Sequence, residues 1–250
     1  MKHLYLVLSL FILATIQGQT TQDALYFWKA GNLVIKQSIK PADIDSITFK
    51  RPLQVTIGTQ TWLTKNLDVA NYSDGTVIPQ VTDPTAWANL TTGAWCHYDN
   101  NPANDAIYGK LYNWYAAAGI YDAASLANPA LRKKLALTGY HVPSDEEWST
   151  LTTYLEGESV AGGKMKETGT ELWTYPNTDA TNSSGFTSLP GGTRSSDGTF
   201  HVIGDFGFWW SSSEAGTANA WDRFLNYFNG DAYRDNDNKT SGFSVRCLRD

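Results

Sequence analysis

The stretch FGFWWSSSE, Phe206 to Glu214, constrains the fold more than any other part of the chain. A strand with one wet face alternates apolar and polar residues. This run does not: Phe208, Trp209 and Trp210 are contiguous, and Ser211, Ser212 and Ser213 follow. It can serve as buried core, as an aromatic platform for a sugar, or as a serine nucleophile site. The composition favours the first two. Ten Trp and thirteen Tyr among 250 residues, with 18% of residues charged, can bury an aromatic core and leave aromatic surface for a ligand.

The start of the chain points to export. In MKHLYLVLSLFILATIQGQT, Lys2 gives a positive start, Leu4 to Ile16 are apolar apart from Ser9 and Thr15, and Gly18 offers a cleavage point. This is the layout of a signal peptide over residues 1–19. The apolar run is shorter than the roughly 20 residues of a membrane span, and no second one follows. The expected location is extracellular, at the cell surface, or periplasmic. A net charge of −6 and a pI of about 5.2 argue against a nucleic-acid binder. An exported chain permits a disulfide between Cys96 and Cys247. It would close a loop of roughly 150 residues and contribute about 4–5 kcal/mol. The alternative is two separate buried thiols.

Residues 20–52 read as a short N-terminal β extension, with strands around a turn at Ala30-Gly31-Asn32 and a last strand near Ser46–Phe49. Residues 53–250 read as one unit. It opens on a hairpin at Gly58, and an Asn/Asp/Thr/Pro-rich loop over 71–105 carries a short strand at 94–98. Leu111, Trp114, Tyr115 and Ala118 recur at helical spacing before Gly119. A second helix starts at a capping box of Ser144 and Glu147, with Asp145 and Glu146 in its first turn and Trp148, Leu151 and Leu155 on one stripe; Gly157 ends it. Five short strands are expected afterwards, over 186–189, 199–203, 208–212, 221–228 and 242–248. Two helices before a strand-rich half make an α+β pattern.

The motifs IGTQTWLTKNLDV, YGKLYNWYAA, GYHVPSDEEWSTL, NSSGFTSLPGG, FWWSSSE and GFSVRCLRD occur in this order. Together they resemble the Fibrobacter succinogenes major paralogous domain, a family of secreted and surface proteins of Bacteroidetes and Fibrobacteres. The resemblance covers roughly residues 53–250. It implies a relative of the C-type-lectin-like fold: a mixed, mostly antiparallel sheet with two helices and long loops. It implies no established reaction. Within that fold FGFWWSSSE becomes a core strand of a sheet covered on both sides, with the serines as its polar exit. Family members often carry Cys-Pro where Leu137-Thr138 stands here, so Cys247 lacks the partner the resemblance implies.

Catalytic templates are weak. No G-x-S-x-G surrounds Ser211–Ser213, and His97, His141 and His201 show no triad spacing. No H-E-x-x-H or C-x-x-C suggests zinc. Asp205 and Glu214, flanking the aromatic run, are the candidate pair for glycoside hydrolysis. Calcium is the one cofactor the sequence raises: Asp231, Asp235, Asp237 and Asn238 in NGDAYRDNDNKTSG supply the oxygen ligands it takes, although the spacing is not that of an EF-hand. The same residue types also favour a solvated turn. For a glycan, Trp221, Tyr227, Tyr233 and Arg234 lie in or near that polar loop and are the candidate contacts, since Trp114 and Trp148 sit on helical core stripes. The functional expectation is an exported, non-enzymatic binding or adhesion module for a glycan or a cell-surface partner. The alternatives are a structural component that assembles through its N-terminal strands, or a hydrolase.

Overall fold

The computed structural model describes residues 23–29, 32–39 and 53–250. The expected signal peptide, Ala30 and Gly31 of the expected turn, and the strand near 46–49 lie outside these residues. The described residues fall into two units, those before residue 50 and those after it. In the first, β1 (Asp23–Lys29) and β2 (Asn32–Ile39) form an antiparallel hairpin with a register shift between Phe27 and Trp28.

The second unit mixes helices with mostly antiparallel sheet. It opens with a hairpin, β3 (Gln54–Ile57) and β4 (Gln60–Leu63), turned by Gly58 at φ +60°. The irregular stretch that follows holds α1 (Pro84–Ala88), β5 (Trp95–Cys96) and α2 (Asp105–Tyr108). Next come β6 (Leu111–Tyr112), α3 (Trp114–Ala117), α4 (Ala123–Ala127), β7 (Tyr140–His141), α5 (Asp145–Tyr154) and α6 (Glu158–Met165). The remainder holds β8 (Thr193–Arg194), β9 (Phe200–His201), β10 (Phe206–Glu214), β11 (Asn219–Asn226), β12 (Tyr233–Asn238) and β13 (Leu248–Arg249). One sheet runs β3-β4-β13-β7 and another β10-β11-β12, with β5-β6 and β8-β9 as small pairs. The segment before β13 stitches these together. Phe243 bridges Tyr112, Gly242 bridges Arg194, and Ser244 bridges Trp209.

The expected helices form with altered limits. Helix α5 carries the capping box: Ser144 Oγ accepts from Glu147 N at 3.2 Å, and Glu147 accepts from Ser144 N at 2.7 Å. The helical spacing over 111–118 yields only α3, because Leu111 and Tyr112 pair with Cys96 and Trp95 as a strand first. Asn113 then caps α3 through its side chain. Helix α6 was not expected, since Gly162 and Gly163 lower helix propensity. Packing requires both glycines. A Cβ at Gly162 would lie 2.1 Å from the Asp231 carbonyl oxygen, and one at Gly163 would lie 2.6 Å from that of Asp179.

The contiguous tryptophans of β10 point to opposite faces of the sheet, as strand pleating demands. Trp209 enters a cluster with Trp62, Trp148, Trp173 and Phe186, while Trp210 enters another with Tyr112, Trp114 and Phe243. Both are completely buried. Each such ring removes roughly 150–250 Å² from water, about 4–6 kcal/mol as an upper bound. A third cluster gathers Trp87, Cys96, Tyr98 and Leu111.

Further expectations change. No strand forms over 186–189, where Ser188 makes one isolated bridge to Lys166, and the strand expected over 242–248 is reduced to isolated bridges before β13. Cys96 and Cys247 form no disulfide: both are free and buried, Cys96 in the third cluster and Cys247 with Trp210. Burial pushes both thiols up to about 12, so neither is a reactive thiolate. Residues 233–238 are not a loop but strand β12, paired with β11 from Asn219↔Asn238 to Phe224↔Tyr233.

Candidate ligand face on the three-stranded sheet

The register of β10-β11-β12 sorts its side chains onto two faces. Phe208 lies opposite Phe224, and Phe224 opposite Tyr233. Phe206 is two positions from Phe208 and shares its face. The rings form a continuous row. Phe206 stacks on Phe208 at 5.9 Å, Phe208 meets Phe224 at 5.6 Å, and Phe224 stacks on Tyr233 at 4.5 Å with planes 4° apart. Phe243 anchors the row at 4.9 Å from Phe208 and 4.3 Å from Trp210. Phe228 meets Phe206 edge-on at 6.0 Å and is 51% exposed. At the Trp210 end the face is core; Phe206, Phe208, Phe224 and Tyr233 are only half-buried, so the sheet expected to be covered on both sides is fully covered on this face at one end only. Phe206 and Phe208 lie in the run first raised as a sugar platform, but neither they nor Phe224 and Phe228 were among the expected ligand contacts. Their signal was the period-two placement of Phe206 and Phe208 on one strand and of Phe224 on the next.

The opposite face packs on α5. Arg223 donates to the Asp145 carboxylate at 2.8 Å and to Ser149 Oγ at 2.9 Å. Arg234 donates to the same carboxylate at 2.8 and 3.0 Å, and its guanidinium lies 3.4 Å over the Trp221 ring. Burial raises the Asp145 pKa, but the two guanidiniums outweigh it and hold the carboxyl below its usual range.

The four expected ligand contacts therefore do not converge. Trp221 and Arg234 belong to the α5 side, Tyr233 to the aromatic row, and Tyr227 packs on the Trp209 cluster. Tyr233 is the one that the aromatic row retains. The expected calcium set does not converge either. Asn238 accepts from Thr240 N, and Asp231 N donates to Asn229. Only Asp235 and Asp237 share a strand face. Among the described residues, no group of three or more His, Cys, Asp or Glu is arranged to hold a metal ion. Carbonyls of the neighbouring loop that a cation would seek already hold one: the Lys166 ammonium donates to Thr178, Asn226 and Asn229 at 2.7, 2.9 and 2.8 Å. Burial pulls the Lys166 pKa down to about 8, against the attraction of Asp179.

The catalytic candidates are likewise separated. Asp205 precedes β10 and Glu214 is its last residue, so the two stand roughly 30 Å apart along an extended strand. Paired glycosidase carboxylates stand about 5–9.5 Å apart. Glu214 instead pairs with Lys239 at 3.1 Å. The histidines pair away from the serines: His97 with Asp105 at 2.7 Å, His201 with Thr199 at 2.7 Å, and His141 with Glu147 and Asp250, both at 2.9 Å. Ser213 Oγ accepts from Asp145 N and helps seat α5. Two shallow hollows, of about 260 and 220 Å³, lie around Glu147 and His141 and leave the aromatic face untouched.

A third feature occupies the aromatic face itself. Asp222, opposite Trp210 and Asp235, is completely buried, and neither of its carboxylate oxygens has a hydrogen-bond partner. Burial drives its pKa far above the carboxylate range, and the charges of Asp237 and Asp235 push it higher.

Beside this geometry stands one match. A model of the Fibrobacter succinogenes major domain fits residues 55–249. The chain belongs to the Fibrobacter succinogenes major domain family. No curated protein and no solved structure matches it. The six motifs that carried the resemblance build the scaffold of this family member. FWWSSSE is most of β10, GYHVPSDEEWSTL spans β7 and the start of α5, and GFSVRCLRD is the stitching segment with β13. Phe206, Phe224, Phe228 and Tyr233 fall between those motifs. Among the described residues, no helix is long and apolar enough to cross a membrane.

Proposed function

We propose that this chain is an exported, non-enzymatic binding module of the cell surface, and that it recognises glycan through the open face of β10-β11-β12. The observation that carries the reading is the half-exposed row Phe206, Phe208, Phe224 and Tyr233, continued by Phe228. A row of stacked rings across neighbouring strands, spaced about 4.8 Å apart, offers an apolar strip to the C–H groups of a sugar ring. Soluble monomers seldom leave such a patch open without use. The signal-like start of the chain supports export. Mixed helices with mostly antiparallel sheet and long loops support, at the level of fold class, the C-type-lectin-like reading of the resemblance. A glycan array probed with the wild type and with Phe224→Ala tests the reading. Discrete hits lost in the variant support it; an array without hits sinks it.

The N-terminal hairpin favours a second reading, assembly by strand addition. Among the described residues β1 and β2 pair only with each other, and a two-stranded hairpin is marginal by itself. In that reading, deleting residues 20–52 abolishes oligomers and leaves the main unit folded. A monomeric full-length chain in sedimentation runs contradicts it.

A further inference from the structure

We infer that the aromatic face carries a subsite for an ammonium group at Asp222, Asp235 and Asp237, so that the favoured ligand is a glycan bearing free amines; the inference rests on this face being the ligand surface. Three observations converge on it. Asp222 is a fully buried carboxyl with both oxygens unpartnered. A buried acceptor left unmade is costly, and a charged one more so. Asp235 lies directly opposite it across the β11-β12 pair, and Asp237 follows two residues on, along the same face. The three carboxyls feel one another: Asp237 and Asp235 act on Asp222, and Asp235 acts on Asp237.

The nearest strong cations are committed elsewhere. Arg223 and Arg234 turn to the other face and hold Asp145, and Lys239 holds Glu214. The carboxylates are not arranged to hold a metal ion. They are arranged as a buried floor with an exposed rim. Asp235 is exposed and Asp237 half-buried. An ammonium brings three donors and a positive charge, and its bonds to carboxylates are charge-assisted. It would contact the Asp235 and Asp237 rim, and its positive charge would favour ionisation of Asp222 beneath them. The aromatic row begins one step away on the same strands, since Phe224 and Tyr233 each lie two residues from Asp222 and Asp235. A ligand seated there therefore offers an apolar ring face and a nearby positive group. An amino sugar carries its amine directly on a ring whose C–H groups can meet the aromatic row, which matches the two-residue spacing of row and carboxylates.

The test compares a glucosamine tetramer with its fully N-acetylated counterpart by calorimetry on the full chain. The rings are the same and only the charge differs. The free amine is expected to bind at least about tenfold more tightly, a preference that high salt weakens. Asp235→Asn with Asp237→Asn should bring the ratio near one, and Asp222→Asn should lower it while the chain stays folded. Equal binding of the two sugars, lost in Phe224→Ala, overturns the ammonium subsite and leaves the glycan face standing. Array hits on neutral glycans alone do the same. Tighter binding of oligolysine than of either sugar overturns the inference in favour of a basic peptide. Calcium that raises the melting temperature in the wild type but not in Asp222→Asn assigns the carboxylates to a metal instead.

Discussion

Arg234 lies with its guanidinium 3.4 Å over the ring of Trp221 while it grips the Asp145 carboxylate at 2.8 Å. The same carboxylate holds Arg223, which is almost fully buried, so one side chain of α5 fastens both β11 and β12. Removing either partner has unequal consequences. Asp145→Ala strands the buried Arg223 charge and should cost about 3 kcal/mol. Arg234→Ala removes a half-exposed partner and should cost about 1 kcal/mol. Urea denaturation of the two variants checks the order; equal losses contradict it.

Asp222 sets a pH dependence. Its folded pKa is raised, so the folded chain holds this proton more tightly than the unfolded chain does. Its contribution to stability is complete below the ordinary carboxylate range, about pH 4, and declines as the pH rises through the folded pKa. Asp222→Asn keeps the shape without the charge. It should stabilise the chain at pH 7 by about 1–3 kcal/mol and flatten the decline. Thermal melts of both proteins between pH 4 and pH 8 measure this, and a variant less stable than wild type at pH 7 refutes it.

Gly162 separates helix propensity from packing. In an isolated helix, Gly→Ala gains about 1 kcal/mol. Here the added methyl would meet the Asp231 carbonyl oxygen at 2.1 Å, which is backbone and cannot swing away. Gly162→Ala should therefore destabilise by about 1–3 kcal/mol. Gly157→Ala is a useful contrast, because no atom lies within 4 Å of its Cβ and the cost comes from φ +100° alone. Denaturation midpoints for both variants decide the matter.

His141 ties the last residue of the sequence to α5, with Asp250 on one ring nitrogen and Glu147 on the other. Burial opposes its charge, but the two carboxylates outweigh burial and raise its pKa. The resulting stabilisation is complete below the ordinary histidine value, about pH 6.5, and is lost as the pH rises through the folded pKa. The group is a third exposed, so the effect should stay below about 1 kcal/mol. Asp250→Asn should lower the His141 pKa in an NMR titration; an unchanged titration contradicts the pairing.

Much of the scaffold was legible. The Ser144–Glu147 capping box, the turn at Gly58 and the aromatic strand at 206–214 rest on local chemistry, and local chemistry survives in a sequence. The misreadings share one cause. Asp235, Asn236, Asp237 and Asn238 favour a turn by composition, yet hydrogen bonds to β11 hold them in a strand. Gly162 and Gly163 argue against a helix, yet only glycine lets α6 reach the 230–231 backbone. Leu111 and Tyr112 fit a helix by spacing, yet they pair with Trp95 and Cys96. In each case a partner distant in the chain overrode a local preference.

By itself, then, the sequence determined the α+β class, the main helix and its start, the aromatic core strand and the family. Those follow from periodicity, capping and motif order, which need no knowledge of distant neighbours. Tertiary structure alone decided that Trp209 and Trp210 enter different clusters, that Cys96 and Cys247 stay apart, and that Arg234 serves Asp145. It also placed Phe206, Phe224 and Tyr233 in one open row beside Asp222. The physical reason is strand register: alternation assigns a side chain to one of two faces, but only pairing with particular neighbours decides what shares that face.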